Sequence, residues 1–563
     1  MTIPDSAILL DRFLKWEAER RDDVYLTQPY PDGAVVDYTW GMVGDQARRA
    51  AAYLASLDLP AGSRIALLGK NSAHWIMADL AIMLAGMVSV PLYPTFSAES
   101  VRFVLAHSDV KLLILGKLDG VSDNWPNIRT QLPPDLPMLG LPLSPRGAFP
   151  QWQEITAAHA PLVDARRPSR DELCTIVYTS GSTGEPKGVM HSHGSMAVLF
   201  PTIQQIDGFN LTSDERGFSY LPLAHMAERA VVEAASLGFG FRVFFANSLA
   251  TFADDLKRAR PTLFLSVPRL WNKFHLRVCE KIPAPLQPRL FALPWVGARI
   301  KHRIRCELGL DQARIVVTGT APMPPHLMQW YRSIGLELLD GYGMSECALL
   351  YVNRPGHVRA GTVGQPQPGV DARIAENGEL EIRSAGQMLG YYRLPELTAA
   401  QTTPDGFLRT GDLGRIDADG FLTITGRVKD IFKTAKGKYV APQPIEQKLL
   451  GLAGVEAACV AGAGRAMPFA LLQLSAETYD AIAAGTLDRA VLTAEIDALR
   501  ERINAAVESH ERLQYVVVVG EAWTVDNAML TPTLKIRRSA IEAHYMPHAD
   551  AWEKLGKAVV WES

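Results

Sequence analysis

Short runs of apolar and β-branched residues alternate with helix-like patterns along the N-terminal part of the chain. The clearest runs are residues 64–68, 111–115, 175–178, 242–245, 262–267 and 314–318. Strands that alternate with helices in this way predict parallel sheets whose faces are covered by helices. We therefore expect this part of the chain to fold as a layered α/β structure.

The pattern changes from Gly361 onward, where turn signals flank runs of alternating polarity, a combination typical of antiparallel hairpins. The turn signals lie at residues 377–378, 405–406 and 419–420, and one of the alternating runs is 379–383. After Gly426 helix and strand patterns continue for about 135 residues, a comfortable size for a separate α+β domain. They include a charged helix pattern over residues 494–507. The sequence therefore predicts a large N-terminal domain, 1–428, of layered α/β sheets with a β-rich subdomain, and a small C-terminal α+β domain, 429–563.

Charge and cysteine usage exclude several classes of protein. Lysine and arginine total 57 against 60 acidic residues, which leaves a formal net charge of −3 and no global signature of nucleic-acid binding. The five cysteines are widely spaced and lack the Cys/His spacing of a zinc site. Acidic residues lie early in the N-terminal segment, where a secretory signal would be basic, so we expect a cytoplasmic protein.

The most apolar stretch, residues 75–93, contains Asp79 and reaches Pro91. A membrane span needs about 20 predominantly apolar residues. We therefore interpret this stretch as a buried helix followed by a strand.

The strongest local signal is residues 178–188, YTSGSTGEPKG, which directly follow a strand-like run. Glycines let backbone N–H groups approach an anion, hydroxyl groups add donors, and Lys187 supplies a positive charge. The segment is not the GxxxxGK[ST] loop of P-loop NTPases, because a glycine follows Lys187. A flexible turn is the structural alternative, but the pattern predicts a loop that binds the triphosphate of ATP.

This loop resembles the phosphate-loop signature of the adenylate-forming superfamily of acyl-CoA synthetases, luciferases and peptide-synthetase adenylation domains. Four more segments resemble the other signatures of that superfamily, in the same order: GYGMSE at 341–346, RTGDL at 409–413, GRVKD at 426–430 and TPTLK at 531–535. Ser345 replaces the more common threonine, and Leu408 stands where an aromatic residue is usual. The resemblance covers essentially the whole chain and implies an acyl-CoA synthetase-like fold with a mobile C-terminal domain.

The resemblance implies a role for each motif residue. Tyr342 would lie along adenine, against the backbone of residues 319–321, and Asp412 would accept the ribose hydroxyls. Glu346 and Thr179 would hold Mg²⁺ against the phosphates. The full set of residues implied for the nucleotide is Thr179, Ser180, Gly181, Ser182, Thr183, Gly184, Lys187, Gly319, Thr320, Ala321, Asp340, Tyr342, Gly343, Ser345, Asp412, Arg427 and Lys535.

The resemblance also implies catalytic and hinge residues. Lys535 would neutralise the charge that develops on the α-phosphate and the carboxylate. Lys429 would be the hinge about which the small domain rotates. The catalytic set is then Lys535, Glu346, Lys187 and His225, while the basic loop at Lys436, Gly437 and Lys438 would meet the phosphates of coenzyme A.

Three segments resemble the long-chain fatty acyl-CoA synthetase branch: SYLPLAHMAER at 219–229, DIFKTAKGKYVAP at 430–442 and LTPTLKIRR at 530–538. They imply a ligase that uses ATP, Mg²⁺ and coenzyme A to activate a medium- to long-chain fatty acid through an acyl-adenylate. His225 would line the tunnel for the carboxylate and coenzyme A, with a purely structural histidine as the alternative. Residues 223–245 and 341–350 are expected to wall an apolar acyl pocket.

Other functions stay open at this point. The enzyme could pass the acyl group to a carrier-protein thiol, or the chain could be a non-catalytic adenylate-binding protein. The second alternative would lead us to expect the loss of key residues, yet Lys187, Glu346, Asp412 and Lys535 are all present. A luciferase-like activity would need a substrate pocket that no residue here identifies, and a homodimer is also left open.

Residues 287–305 combine Phe291, Trp295 and Ile300 with several basic residues. This pattern is typical either of a helix in transient contact with an anionic membrane surface, as a peripheral protein would have, or of a surface connector between sheet layers. We favour the connector from the sequence alone.

Overall fold

The structure, a computed structural model, describes residues 7–120, 123–180, 185–524, 527–531 and 535–562. Its α-helices are α1 (Leu9–Glu19), α2 (Trp40–Ser56), α3 (Ala73–Leu84), α4 (Ala98–His107), α5 (Trp125–Thr130), α6 (Trp152–Ala158), α7 (His193–Ala197), α8 (Leu199–Ile203), α9 (Met226–Glu228), α10 (Ala235–Phe239), α11 (Phe252–Ala259), α12 (Pro268–Lys281), α13 (Gln287–Ala292), α14 (Val296–Glu307), α15 (Pro325–Ser333), α16 (Pro395–Gln401), α17 (Pro442–Leu449), α18 (Ala476–Ala483), α19 (Arg489–Ala505), α20 (Arg538–Tyr545) and α21 (Ala549–Lys554). A π-helical turn, Arg229–Ala234, joins α9 to α10.

The strands are β1 (Val24–Pro29), β2 (Val35–Thr39), β3 (Arg64–Leu68), β4 (Val88–Leu92), β5 (Val110–Leu115), β6 (Met138–Gly140), β7 (Leu173–Ser180), β8 (Pro186–Ser192), β9 (Arg216–Ser219), β10 (Arg242–Phe245), β11 (Leu263–Ser266), β12 (Ile315–Thr318), β13 (Leu338–Met344), β14 (Cys347–Val352), β15 (Gln365–Pro366), β16 (Asp371–Ile374), β17 (Glu379–Arg383), β18 (Gly390–Tyr391), β19 (Leu408–Ile416), β20 (Leu422–Arg427), β21 (Phe432–Lys433), β22 (Tyr439–Val440), β23 (Val455–Ala461), β24 (Phe469–Leu474), β25 (Val516–Val518) and β26 (Val559–Trp561).

Two large sheets form the centre of the N-terminal part. One has the strand order β18-β8-β7-β4-β3-β5-β6, and the other has the order β15-β14-β13-β12-β11-β9-β10-β1-β2. The inner strands of both sheets pair in parallel. Every residue of α3 is buried, and this helix contacts strands of both sheets, so it lies between them. The predicted layered α/β fold is confirmed, and the apolar stretch 75–93 is a buried helix followed by a strand.

A smaller sheet of order β16-β17-β19-β20 follows in the chain, and all of its pairs are antiparallel. The turn signals near residues 377, 405 and 419 lie between or beside these strands, as the sequence pattern indicated. The sheet packs its apolar side chains with those of β14, around Leu350, Leu380 and Leu422. This is the predicted β-rich subdomain, and its strands β19 and β20 carry two of the motifs.

The last part of the chain builds a four-stranded sheet of order β23-β24-β25-β26. Its two apolar clusters contain only residues from Phe432 onward, whereas the described clusters of the preceding part end at Ile424. Separate cores are the physical mark of separate domains. This separation supports the proposed boundary between residues 428 and 429, which stays a proposal. Within the residues that the structure describes, none of the helices has both the length and the apolar character needed to cross a bilayer.

Candidate active site

The described residues of the phosphate-loop motif lie at the end of β7 and at the start of β8. The two strands pair antiparallel, with Thr179 opposite Lys187. Ser180 ends β7, and the predicted phosphate ligands Gly181, Ser182, Thr183 and Gly184 lie outside the described residues. The pairing holds Lys187 at the base of the predicted loop, which is where a cation that binds phosphate is needed.

A second cluster brings Glu346 close to Lys187. The hydroxyl of Tyr391 donates a hydrogen bond of 2.7 Å to Glu346 Oε1, and Lys187 Nζ lies 5.8 Å from the centre of the Tyr391 ring. Burial and the positive charge of Lys429 lower the pKa of Lys187, while Glu346 opposes this shift. One electrostatic environment therefore contains Lys429, Lys187 and Glu346, which are the residues predicted to serve as the hinge, the phosphate ligand and the metal ligand. Tyr391 is a member of this cluster that the sequence did not identify.

The turn between β13 and β14, which carries Ser345 and Glu346, is held tightly. A Cβ atom at Gly343 would lie 1.6 Å from the carbonyl oxygen of Ala348, so only glycine fits there. His191 Nε2 donates to the carbonyl of Ser345 at 2.7 Å, and burial lowers the pKa of His191 to about 4. A neutral His191 therefore fixes this turn from the side of β8.

Asp412 lies in β19, and its carboxylate is held by two donors. Its Oδ2 accepts from the hydroxyl of Tyr342 at 2.7 Å, and its Oδ1 accepts from Arg427 Nε at 3.0 Å. Asp412 and Arg427 are directly paired across β19 and β20. Because each carboxylate oxygen has a second lone pair, Asp412 can still accept two ribose hydroxyls in a fixed orientation.

Residues 319–321 pass close to Tyr342 because β12 and β13 are neighbours. A Cβ atom at Gly319 would lie 3.0 Å from the carbonyl oxygen of Gly341, and Thr320 has a φ of 68°, in the left-handed region. A non-glycine residue in this region is uncommon and is typical of functional turns. Asp340 lies within β13 and is paired with Thr318, the last residue of β12. Burial raises the pKa of Asp340, and backbone hydrogen bonds from Met323 and Gly341 oppose the shift.

Lys535 comes from the C-terminal segment and completes the site. Burial and the positive charge of Arg427 lower its pKa to about 8, and Asp412 opposes this shift. Lys535 in turn adds to the effect of burial in lowering the pKa of His225 to about 3. The structure thus brings together Lys535, His225 and the Asp412–Arg427 pair.

His225 precedes α9, and its Nδ1 accepts a hydrogen bond from the backbone N–H of Ala227 at 3.1 Å. This bond leaves the proton of the neutral ring on Nε2. Its low pKa means that His225 is uncharged at neutral pH, so it can orient a ligand but is poorly suited to donate a proton as an imidazolium. The helix-capping role is the structural alternative, and both roles can coexist in one side chain.

Lys436, Gly437 and Lys438 are exposed at the tip of the hairpin β21–β22. The backbone N–H of Gly437 donates to the carbonyl of Thr434, and Gly437 has a φ of 74°. The hairpin presents both lysines to solvent, where they could contact a phosphate. Their role toward coenzyme A stays a prediction.

An apolar cavity of about 30 Å³ lies near the β13–β14 hairpin. It is lined by Leu199, Ile203, Phe209, Leu211, Val231, Ala235, Phe239, Leu263, Val317, Leu349 and Val352. Its wall includes residues from both segments that were expected to form the acyl pocket, 223–245 and 341–350. The sequence did not identify the contribution of α8 or of strands β11 and β12.

Residues 13–392 match the family model described as "AMP-binding enzyme", and residues 429–552 match the one described as "AMP-binding enzyme C-terminal domain". The chain belongs to the AMP-binding enzyme family. The adenylate-forming resemblance read from the motifs is confirmed, and so is the prediction that the chain is an enzyme.

Curated relatives of this AMP-binding enzyme place it beside one branch of the family. It is 31% identical to the long-chain-fatty-acid–CoA ligase FadD15 of Mycobacterium bovis, over 95% of this chain and 96% of that protein. It is 28% identical to the peroxisomal long chain acyl-CoA synthetase 6 of Arabidopsis thaliana, over 96% of this chain and 85% of that protein. The resemblance to the long-chain fatty acyl-CoA synthetase branch is therefore confirmed.

Solved structures of other AMP-binding enzymes share the fold. An anthranilate CoA ligase, AuaEII, in complex with anthranoyl-AMP matches with a TM-score of 0.78 and 20% identity, over 96% of this chain and 98% of that one. The adenylation domain of a carboxylic acid reductase from Segniliparus rugosus matches with a TM-score of 0.79 and 21% identity, over 98% and 96%. At this level of identity the likeness shows the fold.

Proposed function

We propose that this enzyme is an ATP-dependent acyl-CoA ligase that activates a medium- to long-chain fatty acid through an acyl-adenylate and then forms the coenzyme A thioester. The observation that carries the proposal is the position of Lys535, whose pKa responds to Asp412 and Arg427 and which itself affects His225. This electrostatic coupling of a C-terminal lysine to the groups assigned to the nucleotide supports the proposal. The curated relatives support the fatty acid and coenzyme A as substrates.

In the first half-reaction a carboxylate oxygen of the fatty acid attacks the α-phosphorus of ATP, and the bond to the pyrophosphate oxygen breaks. The Tyr342–Asp412–Arg427 group fixes the ribose, while Lys187 holds the phosphates that leave. Lys535 supplies a positive charge where negative charge develops. These residues therefore act by positioning and by electrostatic stabilisation, without a covalent enzyme intermediate.

In the second half-reaction the sulfur of coenzyme A attacks the acyl carbon, the bond to AMP breaks, and the thiol proton leaves to solvent. The thiol needs access to a carbon that the first half-reaction keeps enclosed, so the small domain must move. Lys429 lies in the short 3₁₀ turn Val428–Asp430, between the separate cores of the two domains. A turn between two packed cores is where a hinge rotation is least costly.

Mg²⁺ suits the donors in this site. Among the described residues no group of three or more His, Cys, Asp or Glu side chains could hold a metal by itself. Mg²⁺ typically uses one or two protein oxygens together with substrate phosphates and water, which matches the carboxylate of Glu346 and the hydroxyl of Thr179. When bound there, Mg²⁺ would screen the charge of the phosphates.

The apolar cavity is the proposed site of the acyl chain. Its volume of about 30 Å³ is far below the several hundred Å³ of ordinary ligand pockets. An acyl chain would therefore enter only if side chains of the wall moved. The π-helical turn Arg229–Ala234, which contributes Val231, is a natural place for such movement, because π-helical turns are often found at functional sites.

Ala235→Phe should shorten the range of acids that the enzyme accepts, because the added ring would fill the cavity. Pyrophosphate release should fall at least about tenfold for long acids, since each methylene denied an apolar site loses about fourfold in binding. Release with butyrate should be retained, which shows that the nucleotide site is intact. Val231→Ala is the matched opposite change and should relax the limit on length. An equal effect of Ala235→Phe on all chain lengths would contradict the assignment of this cavity.

The pH dependence of the first half-reaction should report Lys535. Its pKa of about 8 means that it is charged below that pH and loses its charge as the pH rises above it. The value of kcat/KM, which reports the free enzyme, should therefore fall about tenfold per unit above pH 8. Lys535→Arg, which stays charged in this range, should flatten that limb even if its absolute rate is lower. An unchanged alkaline limb in Lys535→Arg would assign the ionisation to another group.

A panel of saturated carboxylic acids tests the proposed function. ATP-dependent pyrophosphate release should depend on a fatty acid, and acyl-CoA should form when free coenzyme A is the acceptor. A carrier protein bearing phosphopantetheine should be a much poorer acceptor. Preference for the carrier protein would identify the acyl-AMP ligase alternative, and absence of pyrophosphate release with every acid would support a non-catalytic protein.

All five cysteines are free, which fits the proposed cytoplasmic setting.

A further inference from the structure

The surface segment between α12 and β12 has an exposed apolar tip. Residues 292–296, Ala-Leu-Pro-Trp-Val, are five consecutive exposed residues that join α13 to α14. Trp295 is 86% exposed, and Leu293 and Val296 are each about half exposed. Large apolar side chains that cluster on a surface indicate an interaction site, whereas isolated ones do not.

The tip is surrounded by positive charge. Residues 281–305 contain six lysines and arginines and no aspartate or glutamate. Trp295, Arg299 and Arg303 recur at intervals of four, so they align along one side of α14. Ile300 and Ile304 lie on the other side and pack against the core. The outward side of α14 therefore combines an aromatic ring with cations, and the inward side anchors the helix to the large domain.

Arg299 and Arg303 are exposed, and neither has a carboxylate within ion-pair distance in the part of the chain that the structure describes. Cations in a structural network would have such partners. The nearest acidic residue on α14 is Glu307, whose pKa Arg303 helps to lower without forming an ion pair with it. An aromatic and aliphatic tip with exposed cations that form no ion pair is complementary to an anionic lipid surface, where the ring lies at the headgroup level and the cations meet phosphates.

We propose that the α13–α14 tip, residues 292–303, docks this enzyme on anionic membrane surfaces. The proposal adds a docking surface to the acyl-CoA ligase function and rests on it only for its biological purpose, the uptake of a fatty acid from lipid. The tip lies on elements that do not line the apolar cavity, so docking and catalysis can be separated by mutation.

Flotation with vesicles of phosphatidylcholine, with and without phosphatidylglycerol, tests the proposal. The wild-type enzyme should float only with the anionic vesicles, and less at high salt. Leu293→Ser/Trp295→Ser and Arg299→Ser/Arg303→Ser should each lower the bound fraction at least about tenfold. Leu249→Ser, at a residue that is 75% exposed elsewhere, and Lys554→Ser/Lys557→Ser, with the same loss of charge, should bind like the wild type.

Pyrophosphate release with octanoate, a soluble medium-chain acid, checks that each variant is folded and should be equal to the wild type. Because this readout is separate from flotation, failure of the docking proposal and failure of the proposed function give different results. Equal flotation of both tip variants and the wild type would overturn the proposal, as would a wild-type enzyme that does not float. Sedimentation velocity could show instead that the wild type is a dimer, that the tip variants are monomers and that neither binds vesicles. In that case the tip would be a homodimer interface and the membrane proposal would be wrong.

Discussion

Lys535→Ala should lower the rate of acyl-AMP formation at least about a hundredfold, while thioesterification of supplied acyl-AMP stays within a few-fold of the wild type. The loss is large because the lysine supplies charge at the centre where pyrophosphate leaves, and removal of such a group typically costs that much. The lysine is also partly desolvated, which strengthens its electrostatic effect. Fatty-acid-dependent ATP–pyrophosphate exchange measures the first step, and acyl-CoA formation from purified acyl-AMP measures the second.

Two variants serve as controls for this result. Lys554→Ala removes an exposed lysine of the same domain and should leave both steps unchanged. Lys429→Pro should have the opposite phenotype, with acyl-AMP formed and transfer to coenzyme A slowed, because proline fixes φ at the proposed hinge. If Lys535→Ala and Lys429→Pro lose the same half-reaction to the same degree, the small domain does not alternate between two orientations.

Glu346→Ala should abolish fatty-acid-dependent exchange, with a loss of at least about a hundredfold. The variant removes the only carboxylate in the proposed set of Mg²⁺ ligands, and Thr179 contributes a neutral oxygen. Tyr391→Phe should be milder and should raise the Mg²⁺ concentration needed for half-maximal rate by about tenfold or more, since it removes the hydrogen bond that orients Glu346. Glu376→Ala, an exposed carboxylate in a β-turn, is the matched control. Exchange within a few-fold of wild type in Glu346→Ala would show that this carboxylate does not hold the metal.

Much of the fold could be predicted from local patterns, because buried strands have a recognisable composition. The runs at 64–68, 242–245 and 379–383 coincide with β3, β10 and β17. Helix ends were less accurate. The pattern predicted a helix over 494–507, whereas α19 begins at Arg489, where the side chain of Asp488 caps its N-terminus. Asp488 was an available signal, since aspartate is a preferred N-cap residue.

The pattern of residues 287–305 favours a surface connector, with one interfacial helix as the alternative, and the structure has two helices there. The break lies at Leu293–Trp295, around Pro294, and Trp295 has a φ of 60°. Proline disfavours helical geometry in the residue before it and cannot donate its own backbone hydrogen bond. The break exposes the apolar tip, a consequence that a pattern of residue types could not give.

The motif residues of the site came from the resemblance, but their partners could not be read from sequence. Tyr391 lies 45 positions from Glu346, and His191 lies 154 positions from Ser345. Such contacts depend on how sheets pack, and neither partner lies in a motif. The hydrogen bond from Tyr342 to Asp412 is similar, because the motif predicts a ring beside adenine but not the use of its hydroxyl.

The central claim is that a fatty acid is joined to AMP before it meets coenzyme A. A single turnover with a fatty acid labelled with ¹⁸O in its carboxylate, followed by mass spectrometry of the nucleotide, tests this directly. Attack of a carboxylate oxygen on the α-phosphorus should leave one ¹⁸O atom in the phosphate of AMP, with unlabelled pyrophosphate and an acyl-CoA that has lost one ¹⁸O. Unlabelled AMP, or ADP together with labelled inorganic phosphate, would contradict the acyl-adenylate account.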